Sequence, residues 1–220
     1  MSAPSRPVRI WDLPVRLFHW GTVALIPVLW ITERENWMEM HVQAGLVLLG
    51  LVIFRLLWGL FGSAPARFAR FLRPPREAIF HLREMFHPEP DDSPGHNPAG
   101  GWMVALLLAL LLGESVIGVF VNNEVADEGP LSAALPAWVL NLATDLHWWL
   151  FLVLLGAVAL HLTAIAAYRV LKGQNLVLPM LTGRKTLPVS VPPPAIAGLA
   201  RAIPSAALAA AGAWALDRFL

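Results

Sequence analysis

The chain has 220 residues, 57% of them hydrophobic and only 14% charged, with a mean hydropathy of +0.60 and a formal net charge of +1. A water-soluble domain of this size needs far more charge to cover its surface, so the composition points to a membrane. Cysteine is absent, which excludes thiolate-held iron–sulfur clusters, disulfides, thiol catalysis and covalent attachment of a c-type haem.

Five apolar runs follow one another. The first covers about Leu13 to Ile31, with Asp12 placed to cap it and Pro14 in its first turn, where a missing N–H does no harm. It already carries a histidine and leads straight into the next run, so it reads as a retained span and not a cleavable signal. The second run is His41 to Phe61, the third Gly101 to Val121 and the fourth Leu146 to Leu171. The fifth, Ala195 to Leu216, is alanine-rich, is interrupted by Arg201 and Pro204, and follows the proline-rich stretch LPVSVPPPA. Its alternative reading is an interfacial helix or a loosely ordered tail. Between the second and third runs, REAIFHLREMF places Ala78, Ile79, Leu82, Met85 and Phe86 at helical spacing, as an amphipathic helix lying on a membrane surface would. Residues 1–187 form one expected domain, and 188–220 a proline-rich linker with an extra span. The 10 Trp against a single Tyr suggest interfacial anchors.

Loop charge orients the spans. Arg6, Arg9 and Arg16 precede or open the first. Arg67, Arg70, Arg73, Arg76 and Arg83 fill the second loop, and Arg169, Lys172, Arg184 and Lys185 follow the fourth span. The two other loops are acidic, with Glu33, Glu35 and Glu39 in one and Glu124, Asp127, Glu128 and Asp145 in the other. Positive charge marks the cytoplasmic side. The expectation is a multi-pass protein of the bacterial inner membrane with a cytoplasmic N-terminus and outward acidic loops.

Seven histidines divide between loops and spans. His81, His87 and His96 lie in the basic inner loop; His19, His41, His147 and His161 lie in spans. His147 and His161 are fourteen residues apart. That is roughly four helical turns less about 40°, with a rise of about 21 Å, so both project from nearly one face and lie most of a membrane apart. Under the deduced orientation His19 matches His161 in depth on the inside, and His41 matches His147 on the outside. Two opposed imidazole pairs suit bis-histidine ligation of planar macrocycles between helices. Taken singly, each has a plain alternative: His19 beside Trp20 is an interfacial anchor, and His41 a loop residue. A zinc or proton site would recruit carboxylates, and the spans offer only Asp145 near His147 and Glu114 deep in the third.

Gly45, Gly113, Gly118 and Gly156 would let a macrocycle approach the backbone, or would serve ordinary close packing of helices. Arg55 follows His41 by fourteen residues on the same face; it either pairs with a haem propionate or snorkels at a helix end. Glu114 is costly, since a charged residue at span centre loses about 2.5–3.5 kcal/mol on insertion scales. It is a protonated acid, a partner of a haem edge, or part of a quinone or proton site.

The segments VRIWDLPVRLFHW, HVQAGLVLLGLVIFRLLWGLFGS, GHNPAGGWMV and LHWWLFLVLLGAVALHLTAIAAYRVLKGQNLVLPMLTGRK together resemble the bacterial cytochrome b561 family, which includes the cytochrome b subunits of nickel–iron hydrogenases. The resemblance covers about residues 8–187. It implies an all-α membrane protein whose four-helix bundle holds two non-covalent b-type haems, with ligands at His19, His41, His147 and His161. His96 in the GHNP segment is not assigned as a ligand. Glu114 departs from the family, where uncharged residues are usual, and the fifth run lies outside the shared core.

The function expected is electron transfer between the quinone pool and a periplasmic c-type cytochrome or oxidoreductase subunit, as a subunit more than a stand-alone enzyme. The acidic outer loops offer a docking face for a basic partner. One alternative is a quinone-linked superoxide oxidase, for which an outward basic funnel would be favoured instead. Another is a non-redox anchor or metal transporter. No nucleic-acid partner is expected.

Overall fold

The computed structural model describes residues 4–84, 90–122, 129–132 and 135–218. Among them are eight α-helices: α1 (Leu13–Arg34), α2 (Met38–Phe61), α3 (Phe68–Phe71), α4 (Pro75–Glu84), α5 (Pro98–Gly118), α6 (Ala137–Leu171), α7 (Val177–Thr182) and α8 (Ala202–Asp217). Five helical stretches are long and apolar enough to cross a membrane: α1, α2, α5, α6, and Leu199–Asp217, which contains α8. In the most apolar part of α6 only 11% of residues are buried. Along the whole of α6, Trp138, Trp149, Val153, Leu160 and Leu162 are exposed. Such a helix has no driving force to fold in water and is matched to lipid. The chain is a multi-pass, all-α membrane protein.

The expected spans are present with shifted ends. The largest shift is in α6, which begins at Ala137 and not near Leu146. Asn141, Thr144 and Asp145 break the apolar run in the sequence without breaking the helix; Thr144 returns its hydroxyl to the Leu140 carbonyl at 3.0 Å. His147 therefore lies about three turns inside α6 and does not open it. The amphipathic helix between the second and third spans is α4, with Ala78 buried and Ile79 and Leu82 exposed. Met85, Phe86 and His87 lie outside the described residues, as do Glu124, Asp127 and Glu128.

The chain divides into two compact units. Unit 1 comprises Met1–Leu17, Leu56–Leu106 and Val158–Ile203. Asp12 is its pivot: one carboxylate oxygen accepts the Val15 N–H at 2.8 Å, capping α1, and the other accepts the Trp58 indole N–H at 2.9 Å. Asp12 and Trp58 are both fully buried. A short antiparallel pair that the sequence pattern does not announce, β1 (Ser5–Arg9) with β2 (Arg184–Pro188), sets Arg6 opposite Leu187 and Arg9 opposite Arg184. Gly183 ends α7 in the left-handed conformation, φ 80°, and its carbonyl accepts the N–H groups of Ile10 and Trp11 at 2.9 and 3.1 Å. A Cβ there would meet the Trp11 carbonyl at 2.8 Å, so both conformation and space call for glycine.

Unit 2 comprises Phe18–Arg55, Leu107–Ala157 and Pro204–Leu220. Leu46, Leu49 and Val119 form its core, packed by Ile53, Leu112 and Leu216. α1 ends in a tight reversal at Asn36, φ 56°, with the Trp37 N–H returning to the Thr32 carbonyl at 2.8 Å. Asparagine tolerates this left-handed helix stop. The reversal brings the start of α2 back alongside the end of α1. The fifth span packs on α2 through small residues: a Cβ on Gly50 would touch Ala213 at 3.5 Å, and Gln43 donates to Asp217 at 2.7 Å.

Candidate cofactor site

Unit 2 contains a cavity of about 300 Å3 lined by Leu29, His41, Gly45, Glu114, Gly118 and His147, among others. The α1–α2 reversal delivers His41. Its Nδ1 lies 3.0 Å from the Leu29 carbonyl and 3.5 Å from the Thr32 hydroxyl. A carbonyl can only accept, so Nδ1 carries the proton and Nε2 is left with its lone pair for the cavity. From α6 comes His147, whose ring centroid is 6.4 Å from that of His41, with the planes 83° apart. Two metal–imidazole bonds of about 2.0–2.1 Å each, added to two ring radii, span a similar distance. Among the described residues there is no group of three or more His, Cys, Asp or Glu that could hold a bare metal ion. Two opposed imidazoles beside an apolar cavity fit an ion whose other ligands arrive with it, as in a haem.

Two supporting residues become visible only in three dimensions. Gly118 carries the His147 ring against it: an added Cβ would lie 3.1 Å from the imidazole Cε1. Glu114, one turn earlier on the same face of α5, places Oε1 3.4 Å from His147 Nδ1. The i, i+4 spacing of Glu114 and Gly118 was the available signal. Of the other glycines flagged by the sequence, Gly45 lines the cavity, Gly113 touches Leu150, and Gly156 has nothing within 4 Å.

The remaining predicted residues are placed individually. His19 is half-buried in the second turn of α1, its ring edge-on to Trp20 at 4.9 Å. His161 is half-buried in α6. His19 belongs to unit 2 and His161 to unit 1. Arg55 is 2% exposed, which removes the snorkelling reading.

The loop histidines of unit 1 have structural work. His96 packs between Trp11 and Phe71, at 4.6 and 4.8 Å. Asn97 caps α5 through the Gly100 N–H at 2.7 Å, and Pro98 takes the first helical position. His81 Nε2 lies 2.8 Å from the hydroxyl of Tyr168, the single tyrosine, and 3.6 Å from Asp91. Asn97 donates to both Tyr168 and Asp91 at 2.6 Å, and Lys185 donates to the Asp91 carbonyl, also at 2.6 Å. Burial works to raise the Asp91 carboxyl, but hydrogen bonds from Ser93 and Asn97 and the nearby Lys185 charge together hold it below its ordinary value of 3.8. Burial pulls Lys185 down against the opposing charges of Asp91 and Asp92.

A family model described as prokaryotic cytochrome b561 matches residues 10–183. The chain belongs to the prokaryotic cytochrome b561 family. Two relatives, each named "Probable Ni/Fe-hydrogenase B-type cytochrome subunit", come from Rhodobacter capsulatus and Azotobacter chroococcum mcd 1. The first is 25% identical over 216 residues, covering 81% of this chain and 81% of the relative. The second is 26% identical over 213 residues, covering 80% of this chain and 87% of the relative. No solved structure matches significantly. Membership makes the chain a membrane b-type cytochrome of electron transfer, in which a bound b-type haem supplies reversible one-electron redox chemistry.

Proposed function

We propose that this cytochrome holds two b-type haems and carries electrons across the bacterial inner membrane, between the quinone pool and a periplasmic redox partner. The opposed His41 and His147 rings carry the proposal, because at a separation of 6.4 Å the two imidazoles would be able to hold one haem between them. The second haem, on His19 and His161, rests on the sequence argument alone. Arg55, buried at 2% exposure, would offset a propionate charge that is costly to bury unpaired. The alternation of basic and acidic loops supports a cytoplasmic N-terminus. The relatives' names make a nickel–iron hydrogenase one oxidoreductase of the required partner class. The outward acids are suited to steering a basic docking surface.

The test is haem content and reducibility. The purified protein in quinol-containing vesicles should yield two haems per chain by pyridine haemochrome, both reduced by quinol and reoxidised by the partner. A colourless protein, or haem inert to quinol, would refute the proposal. Orientation is checked separately. Because the chain has no cysteine, a thiol introduced by Glu35→Cys should be labelled from the periplasm and one introduced by Arg76→Cys should not.

A further inference from the structure

We propose that the outward face of α4, together with Arg70 of α3 and Arg73 between the two helices, is a docking surface for anionic phospholipid: lipid phosphates pair with the arginines while Ile79 and Phe80 enter the bilayer. On α4, Arg76 and Arg83 are seven residues apart. They project within about 20° of each other, with Ile79 and Phe80 about 50° to either side. Ile79 is 56% and Phe80 61% exposed. Ala78 and His81 lie about 150° away, and these are the residues turned inward. Ala78 is buried, and His81 Nε2 meets the Tyr168 hydroxyl at 2.8 Å. A helix resting on a protein core in water would turn its large apolar residues inward instead. Glu77 and Glu84 stand about 90–110° off the arginine face, and Glu84 Oε2 is 3.8 Å from His81 Nδ1.

Two contacts set the depth of this face. The Trp102 indole, 43% exposed near the start of α5, donates to the Arg73 carbonyl at 2.9 Å. Tyr168, which holds His81, lies in the last turn of α6. Indole and phenol groups at the ends of membrane-crossing helices sit at headgroup level, so the chain from Arg73 to His81 lies there too. Arg70, Arg73, Arg76 and Arg83 are all exposed, and none forms an ion pair with a described residue. At that depth their aliphatic stems can lie along hydrocarbon while the guanidinium groups take phosphate oxygens in pairs. Topology alone asks for basic residues on this side of the membrane. It does not ask that Arg76 and Arg83 share a face with Ile79 and Phe80. The surface lies within unit 1 and uses none of the histidines assigned to haem.

The test uses the full chain, which has no cysteine of its own, with Leu82→Cys carrying a neutral environment-sensitive fluorophore. The protein is placed in nanodiscs of phosphatidylcholine alone or of phosphatidylcholine mixed equally with phosphatidylglycerol. In the mixed discs the emission should shift to the blue and quenching by acrylamide should fall. Arg76→Gln with Arg83→Gln should abolish the difference between the two discs. Among lipids retained after mild detergent extraction, the preference for phosphatidylglycerol should fall about fivefold for each arginine replaced. Salt gives the same test without touching the arginines: from about 0.1 M to about 1 M the Debye length shrinks from about 10 Å to about 3 Å, and the difference should vanish. A label open to acrylamide in both discs would leave this face to a soluble partner and overturn the proposal. A label equally shielded in both would make the contact one with neutral lipid and overturn the anionic headgroup. A difference that survives high salt, or the loss of both arginines, would overturn it as well.

Discussion

Both units contain histidines at half-buried positions, but they use them differently. In unit 1, His81 is hydrogen-bonded to Tyr168 and near Asp91, and His96 is filled in on both sides by Trp11 and Phe71. These rings complete a polar and aromatic framework. In unit 2, His41 commits one nitrogen to a backbone carbonyl and borders an apolar cavity with the other side of its ring, facing His147 across it. A ligand histidine is recognised by this asymmetry: one nitrogen anchored, the other kept for the cofactor. Presence in a membrane protein does not by itself distinguish the two uses.

The largest effect expected from this contrast is on haem content. His41→Ala or His147→Ala should cost about half of the low-spin haem absorbance if two haems are bound, whereas His81→Ala or His96→Ala should leave it unchanged in folded protein. Absorbance spectra normalised to protein would break the comparison if His96→Ala bleached a haem.

Next in size is the support behind His147. Gly118→Val pushes a branched side chain into the space where even a Cβ would approach the ring to 3.1 Å. Displacing His147, which would hold the haem, should weaken haem retention by about 10–100-fold, the range seen when support behind a ligand is lost. Haem-transfer kinetics to an apo-globin acceptor would show it.

A smaller effect belongs to unit 1. Asp91→Ala leaves Asn97, Tyr168 and Lys185 short of an acceptor or a charge and should cost about 1–3 kcal/mol of stability without altering the haem spectrum. The sign with pH follows from the depressed Asp91 value. Its contribution is present above the ordinary value of 3.8 and is lost as pH falls through the lower folded value, where the carboxylate takes up a proton. Limited proteolysis of the Asp91–Asn97 segment across pH 2–5 would detect the loss in wild type and its absence in Asp91→Ala. At the small end, Gly156→Ala meets nothing within 4 Å and should stabilise α6 by about 0.5–1 kcal/mol, with haem content unchanged in thermal unfolding monitored at the Soret band.

The spans and the Asp12 cap were legible because apolar length and capping chemistry are local signals. The start of α6 was not, since Asn141, Thr144 and Asp145 look like a loop until Thr144 is seen bonding within the helix. The β1–β2 pair joins segments at opposite ends of the chain, and nothing local announces it. For the site, depth matching was enough to set His41 opposite His147. It could not show which nitrogen of His41 stays available, because that depends on the Leu29 carbonyl brought back by the Asn36 turn. Glu114 was conspicuous by its cost in a span, but its partner emerged only once α5 and α6 were placed together.

The account stands on His41 and His147 holding one and the same haem. The direct test is haem content per chain in His41→Ala, His147→Ala and the double variant. Ligands of one haem act as a unit, so their losses do not add. The account predicts that all three variants lose the same single haem equivalent. A double variant that loses twice as much as either single one would assign the two histidines to different haems and contradict it.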